Sequence, residues 1–223
     1  MRTVCLTGSA GGIGAATRAR LERDGVRVIG VDVRDAEVIA DLGTVQGRAE
    51  MVTAVLDACG GVLDGVIAGA GIMGEGPTVA SVNYFGAVAT LEGLRPALAA
   101  GTEPRAVAIS SNSATTTPAL PEKLAALFLD GDEPAVRDYF EREPFFAYMA
   151  SKLALARWVR RNAPHDEWIG AGISLNAVAP GVVRTPMTEN DLEMIFSIPD
   201  IFPVPIGRPG RAEEIAALLA FLV

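Results

Sequence analysis

"TVCLTGSAGGIG", residues 3–14, sets a short apolar run against a turn rich in glycine. Residues 3–7 predict a buried strand, and the pattern from Gly12 to about Asp24 predicts a helix. Gly8, Gly12 and Gly14 give the spacing G-x-x-x-G-x-G, not the G-x-G-x-x-G of the general dinucleotide fingerprint. The physical demand is the same. A tight turn needs backbone freedom, and a pyrophosphate needs close approach to backbone N–H groups at a helix N-terminus. Asp32 ends the next predicted strand, "VRVIGVD" (26–32). An acid there accepts a hydrogen bond from an adenosine ribose 2′-hydroxyl and repels a 2′-phosphate, which predicts NAD over NADP. Arg34, two residues on, is the opposing feature, since a guanidinium there could pair with a phosphate.

Outward from this unit, short apolar runs alternate with helical patterns. Strands are predicted at 38–42, 63–71, 105–111 and 172–180, and helices at 49–59, 78–99, 146–162 and 212–223. The last helix carries Ile215, Leu218, Leu219 and Leu222 on one predicted face. Such alternation predicts an α/β fold: a single Rossmann-type domain over residues 1–223, its doubly wound parallel sheet flanked by helices on both faces. Two segments break the rhythm, and loops of their length are usually functional. The insert at 117–145 is charged and punctuated by proline, and "EKLAALFLDGDEPAVRDYFERE" within it predicts a helical pair turning at Gly131. The segment 182–209 is rich in proline and carries Met187, Leu192, Met194, Ile195, Phe196, Ile198, Ile201 and Phe202. Those residues suit a lid over a hydrophobic substrate, and equally a loop packed on its own core or on another subunit.

The 223 residues are half apolar, and the formal net charge is −8. An acidic chain without a basic stripe argues against nucleic acid or anionic lipid as a partner. No apolar run reaches the roughly 20 residues of a membrane helix. Cys5 and Cys59 form neither a metal cluster nor a disulfide framework, and the N-terminus lacks a signal-peptide pattern, so a cytoplasmic setting is expected. His165 is the only histidine and lies among polar residues in "NAPHDEW", which excludes a multi-histidine metal site and reads as a solvated loop residue; no metal is expected.

"AYMASKLAL" (147–155) places Tyr148 four residues before Lys152 among small apolar residues. That spacing is about one helical turn and puts both on one face. A lysine on a buried face is costly unless its charge is used. A free tyrosine loses its proton only near pH 10, and a neighbouring ammonium would lower that value.

"TGSAGGIG" (7–14) together with "YMASK" (148–152) resembles the short-chain dehydrogenase/reductase family. "AGAG" (68–71), "VNYFG" (82–86), "ISS" (109–111) and "APGVVRTPM" (179–187) agree with it, in order over nearly the whole chain. "GAATR" (14–18), "RDAEVIADL" (34–42) and "SVNYFGA" (81–87) are most similar to its branch of bacterial 3α-hydroxysteroid dehydrogenases and carbonyl reductases. The resemblance implies an NAD-dependent oxidoreductase that interconverts a secondary alcohol and a ketone, plausibly a 3α-hydroxysteroid or another hydrophobic carbonyl compound. It implies Tyr148 as general acid/base, Lys152 as its partner, Ser111 rather than Ser110 as the donor to the substrate oxygen, and Asn83 as the relay residue. It implies that Gly8, Ser9, Gly12, Ile13, Gly14, Asp32, Asp41, Leu42, Ala70 and Gly71 line the cofactor, with Tyr148, Lys152, Pro180, Gly181, Val183 and Thr185. It also implies a homodimer or homotetramer.

Two other readings stay open: a 3-oxoacyl or small-ketone reductase of the same family, which would favour NADPH, and a non-catalytic NAD(H)-binding sensor. Three features depart from the family pattern. "AGAG" stands where members carry "NNAG", so Ala68 has no amide to brace the sheet. The insert widens the gap from Ser111 to Tyr148 and is expected to loop out beside the helix through which many members oligomerise. The chain's last segment, "AALLAFLV", is expected to leave out one further strand.

Overall fold

A computed structural model describes residues 1–117, 119–200 and 203–223. The chain runs β1 (Thr3–Thr7), α1 (Gly12–Arg23), β2 (Arg27–Asp32), β3 (Val38–Ile39), α2 (Val45–Cys59) and β4 (Gly65–Ala68). Then come α3 (Pro77–Ala80), a π-helical segment (Ser81–Gly86), α4 (Ala87–Ala99), β5 (Arg105–Ile109) and α5 (Ser113–Thr116). The insert supplies α6 (Glu122–Leu129) and α7 (Glu133–Arg142). After it follow α8 (Ala147–Asn162), β6 (Ser174–Val178), β7 (Val183–Arg184), α9 (Leu192–Ser197), β8 (Gly210–Arg211) and α10 (Ala212–Leu222).

Six strands form one parallel sheet in the order β3-β2-β1-β4-β5-β6. Its strands read as continuous apolar runs because both faces are covered. Val4, Leu6, Ile67, Val107 and Ile109 pack on one face with Leu21 of α1 and Leu219 of α10. Cys5, Val66, Ala68, Ala106 and Ala108 pack on the other with α2, α4, α6, α7 and α8. From β1 the chain builds outward through β2 and β3, then returns to place β4 on the other side of β1. The crevice above the carboxyl ends of β1 and β4 is therefore the switch point where ligands bind in such sheets.

Several boundaries differ from the sequence reading. β3 is two residues long and ends before Ala40. α2 begins at Val45, where the Thr44 hydroxyl accepts from Gly47 N–H at 2.9 Å. Gly47 hides this start from a propensity reading, yet it is required: a Cβ there would lie 2.1 Å from the Asp41 carbonyl oxygen. The helix predicted over 78–99 is interrupted by the π-helical turn at Ser81–Gly86, a distortion common at functional sites. On α10, Leu219 and Ala216 are buried but Leu218 is 43% exposed, so Leu218 does not belong to the packed face.

The insert does not loop out. Its helical pair turns at Gly131 (φ 80°) and packs down on α3, the π-helical turn and α8. Leu124, Phe128, Val136 and Phe140 are fully buried. Phe128 lies 5.1 Å from the Tyr84 ring and 5.6 Å from that of Phe140. Arg48 of α2 forms a buried ion pair with Glu133 of α7, and its Nη1 also donates to the Leu42 carbonyl at 3.2 Å. Arg137 donates to the Ser81 hydroxyl at 2.7 Å. Both helices carry apolar residues four apart, which the neighbouring helices remove from water.

The insert therefore contributes to stability as core does. Phe140→Ala should cost about 3–5 kcal/mol in urea unfolding. A loss under about 0.5 kcal/mol would make the insert a surface decoration.

Candidate active site

The glycine turn is built by contacts that exclude side chains. Gly8 has φ 73°, and a Cβ on it would lie 2.9 Å from the backbone of Ala70. A Cβ on Gly14 would lie 1.9 Å from the Gly8 carbonyl oxygen, so only glycine lets α1 start this close to β1. Gly8 N–H donates to the Val31 carbonyl at 2.8 Å, tying the turn to β2. The Thr7 hydroxyl accepts from Gly69 and Ala70 N–H, each at 3.1 Å, and ties it to the end of β4. Thr7 thus braces the crevice in place of the amide absent at Ala68, and the sequence reading missed it; a buried threonine just before the turn was the available signal.

The N-terminus of α1 carries no side-chain cap and no acidic residue in its first turn. Its N–H groups are thus left for an anion, as a dinucleotide pyrophosphate would require. The Asp32 carboxylate lies at the end of β2, where Oδ2 accepts from Ala10 N–H at 3.0 Å and Oδ1 from Val33 N–H at 2.8 Å. Thr185 approaches the same turn: a Cβ on Gly12 would lie 3.2 Å from its Cβ and Cγ2. Pro180 accepts from Asn112 N–H at 2.9 Å, and Gly181 follows beside the Asn112 amide. Val183 is buried in β7, Ser9 is buried, and Ile13 packs partly into the α1–α10 layer. Leu42 is buried against Gly86. Asp41 is exposed and accepts from Gly43 N–H at 2.9 Å, beside a groove of about 340 Å³ that also includes Val33 and Ile39. The uncapped helix N-terminus and the Asp32 carboxylate beside it are the chemistry that a dinucleotide's pyrophosphate and ribose require.

Four polar side chains from three elements meet at its other end. Asn83, fully buried in the π-helical turn, accepts from Ile72 N–H at 2.8 Å and donates to the Ile72 carbonyl at 2.9 Å. Lys152 of α8 is 5% exposed, and its Nζ donates to the Ile109 carbonyl at 2.8 Å. Gly71 joins the two: a Cβ there would lie 3.2 Å from Asn83 Oδ1 and 3.3 Å from Lys152 Nζ. Tyr148 stands one turn before Lys152, with the Ser111 hydroxyl close enough to act on its phenol. Ser111 Oγ also accepts from Ser113 N–H at 3.2 Å. Ser110 is engaged elsewhere, donating to the Lys152 carbonyl at 2.7 Å, so it is Ser111 that faces the tyrosine.

The electrostatics differ from the sequence expectation. Burial raises Tyr148 above the ordinary tyrosine range, against a smaller lowering effect of the Ser111 hydroxyl. Burial lowers Lys152 to about 8. Lys152 Nζ lies 6.0 Å from the Tyr148 ring centroid and spends a proton on Ile109, so the protein alone does not lower the phenol. For a phenol buried to this degree, desolvation outweighs an ammonium at that distance.

Other predicted features fall outside this cluster. Leu192 and Ile195 of α9 are buried, whereas Met187, Met194 and Phe196 are exposed, so the segment 182–209 is anchored at its base and apolar on its outer side. Ile201 and Phe202 lie outside the described residues, as does Pro118 of the insert. A cavity of about 390 Å³ lies between Arg184, Glu189, Leu192, Glu193, Phe196 and Pro209, away from Ser111 and Tyr148. His165 is exposed in a loop, and both cysteines are free. Among the described residues, no group of three metal-ligating side chains occurs and no helix is long and apolar enough to cross a membrane.

Known proteins resemble this chain in sequence and in fold. The chain is 40% identical to 3-alpha-hydroxysteroid dehydrogenase/carbonyl reductase of Comamonas testosteroni, over 100% of this chain and 90% of that one. It is 30% identical to coniferyl-alcohol dehydrogenase of a Pseudomonas species, over 99% of this chain and 89% of that one. Among solved structures, 3-alpha-hydroxysteroid dehydrogenase from Pseudomonas sp. B-0831, complexed with NADH, superposes with a TM-score of 0.90 at 40% identity, covering 99% of this chain and 89% of that one. A family model described as enoyl-(acyl carrier protein) reductase matches residues 137–223.

The buried lysine predicts a pH-dependent stability. Its value of about 8 lies below the ordinary ~10.5. Below pH 8 both folded and unfolded chains hold the proton, and the penalty of burying the charge is complete. From about 8 to ~10.5 only the unfolded chain keeps it, so stability rises with pH. Lys152→Met, without cofactor, should raise stability by about 1–3 kcal/mol at pH 6.5, less whatever the orphaned Ile109 carbonyl costs. Melting curves should show the gain narrowing between pH 8 and ~10.5; a gain that ignores pH would assign it to packing alone.

Proposed function

Because the chain belongs to the short-chain dehydrogenase/reductase family, as an oxidoreductase of the hydroxysteroid dehydrogenase/carbonyl reductase type, we propose that it interconverts a hydrophobic secondary alcohol and its ketone with NAD(H). The observation that carries the reading is the meeting of buried Asn83 and Lys152 at Gly71, with Tyr148 one helical turn before Lys152 and Ser111 acting on its phenol. A 3α-hydroxysteroid is the favoured substrate. The exposed Met187, Met194 and Phe196 offer an apolar surface to a rigid apolar body of that kind.

The residues divide the work. Gly8, Ser9, Gly12, Ile13 and Gly14 would hold a pyrophosphate on the N-terminus of α1, with Thr185, Val183, Pro180 and Gly181 closing over it. Asp32 would take the ribose 2′-hydroxyl, with Asp41 and Leu42 beside the adenine and Ala70 and Gly71 under the chain between the rings. When bound, the nicotinamide gives or takes the hydride at the substrate carbon. Ser111 holds the substrate oxygen within reach of the Tyr148 hydroxyl, which donates its proton to a nascent alkoxide or accepts one from an alcohol. Lys152 holds a positive charge near that hydroxyl, and Asn83 fixes the backbone at Ile72 beside it.

Two outcomes test this. Tyr148→Phe should lower kcat by about 10²–10⁴ in both directions while NADH fluorescence still titrates with unchanged affinity. Equal rates in parent and variant would remove Tyr148 from the chemistry. Because burial favours the protonated phenol, the acceptor form that alcohol oxidation needs grows as the pH rises. Steady-state rates should therefore climb with pH for oxidation of the alcohol. For reduction they should stay flat near neutrality and fall on the alkaline side.

A further inference from the structure

Asp32 is one charge at the carboxyl end of β2. A second charge arrangement lies on the same face of β2. Arg18, in the second turn of α1, is bound on all sides of its guanidinium. Nη1 donates to Glu37 Oε2 at 3.0 Å, Nη2 to Glu37 Oε1, and Nε to Glu22 Oε1 at 2.8 Å. Glu37 is fixed in turn, since its Oε2 accepts from Gly30 N–H at 2.9 Å. The clip rests on Gly30, where a Cβ would lie 2.6 Å from Ser9 Oγ, 2.8 Å from Glu37 Oε2 and 3.0 Å from Arg18 Nη1. Arg18 Nη1 and the Ser9 hydroxyl are therefore neighbours across an empty position.

Gly30 and Asp32 point to the same face of the strand, about 7 Å apart along it. Ser9 and Ala10 belong to the same turn, and Ala10 N–H is bound by Asp32. A released arginine could swing that distance to the ribose edge. Arg34, the cation that the sequence points to, is exposed and forms no ion pair among the described residues, so Glu37 does not control it.

We propose that Glu37 is a specificity-determining residue for NAD over NADP: by clamping Arg18 beneath Gly30, it withholds from the ribose edge the guanidinium that would otherwise receive a 2′-phosphate. The proposal rests on the reading that the glycine turn binds a nicotinamide dinucleotide. Arg18 faces two carboxylates in the clip, and Asp32 stands two residues beyond Gly30 on the same strand face, so a 2′-phosphate there meets net negative charge. Without Glu37, one carboxylate is gone and both Nη groups of the Arg18 fork are released toward a phosphate, with Nε alone still held by Glu22. Asp32 would act by direct contact, and Glu37 acts through Arg18.

The test is binding without turnover. Dissociation constants for NAD⁺ and NADP⁺ are measured by calorimetry on the full chain, for the parent, Glu37→Gln and Glu37→Gln/Arg18→Met. The parent should prefer NAD⁺. Glu37→Gln should shift the NADP⁺-to-NAD⁺ affinity ratio toward NADP⁺ by about five- to twentyfold, and adding Arg18→Met should cancel that shift. A ratio unchanged by Glu37→Gln, or a shift that survives Arg18→Met, overturns the proposal and leaves the clip a structural brace, because a brace would weaken both dinucleotides alike. Should Glu37→Gln not fold, Glu37→Asp retracts the carboxylate by one methylene and must move the ratio in the same direction; an unchanged ratio again overturns it. A parent that binds neither dinucleotide would instead sink the dinucleotide reading itself, which is a separate result.

Discussion

The contact between Gly14 and the Gly8 carbonyl is the constraint from which the crevice follows. No side chain fits there, since a Cβ would lie 1.9 Å from the oxygen. Helix α1 can thus begin directly over the carboxyl end of β1. Its uncapped N–H groups then face the gap between β1 and β4, where the sheet reverses its direction of growth. Gly8 N–H holds the turn to Val31, and the Thr7 hydroxyl holds it to Gly69 and Ala70. Three strand ends are thereby fixed relative to one helix by backbone contacts and a single hydroxyl. A site whose frame is backbone can vary its lining without losing its shape.

The other end of the crevice is organised around a cost. Lys152 is buried with one carbonyl partner among the described residues, and burial reduces its hold on its proton. Tyr148 beside it is pushed the opposite way, toward holding its proton. The unliganded chain thus favours a neutral phenol and an ammonium that is readily lost. A positive charge brought against the ring would lower the phenol, so the proton chemistry depends on what fills the crevice. Polar groups this costly persist in a core where they act, as stability is exchanged for function.

The insert shows how far an apolar pattern can be trusted. The helical pair and its turn at Gly131 are legible in the sequence; its burial was in the same residues and was read less well. Leu124 and Phe128 are four apart, as are Val136 and Phe140, and each pair makes a stripe that water would leave exposed at a cost. Once packed, the pair connects α2, through Glu133 and Arg48, to the π-helical turn, through Arg137 and Ser81. Both connections end beside residues of the crevice: Leu42 receives a hydrogen bond from Arg48, and Asn83 lies in the turn that Ser81 begins. The insert is thus continuous with the frame of the site, although no part of its sequence carries a motif.

What was legible divides by the range of the interaction. Strand–helix alternation, the glycine turn, Asp32 at the end of β2 and the Tyr148–Lys152 spacing are local patterns, and a chain displays them within one or two elements. The length of β3, the start of α2 behind Gly47, the brace at Thr7 and the π-helical turn each depend on a partner from elsewhere: Asp41 behind Gly47, Gly69 and Ala70 above Thr7, Ile72 against Asn83. The Arg18–Glu37 clip belongs to this second kind. Nothing in "GAATR" or in "RDAEVIADL" says that an arginine of the first and a glutamate of the second meet over a glycine of the strand between them. Reading charge by its position in the sequence picks out Arg34, which stands next to Asp32. The fold instead brings Arg18 to Asp32's face of the strand and leaves Arg34 exposed. Charge near a ligand is set by the sheet, and a sheet is the least local structure a chain makes.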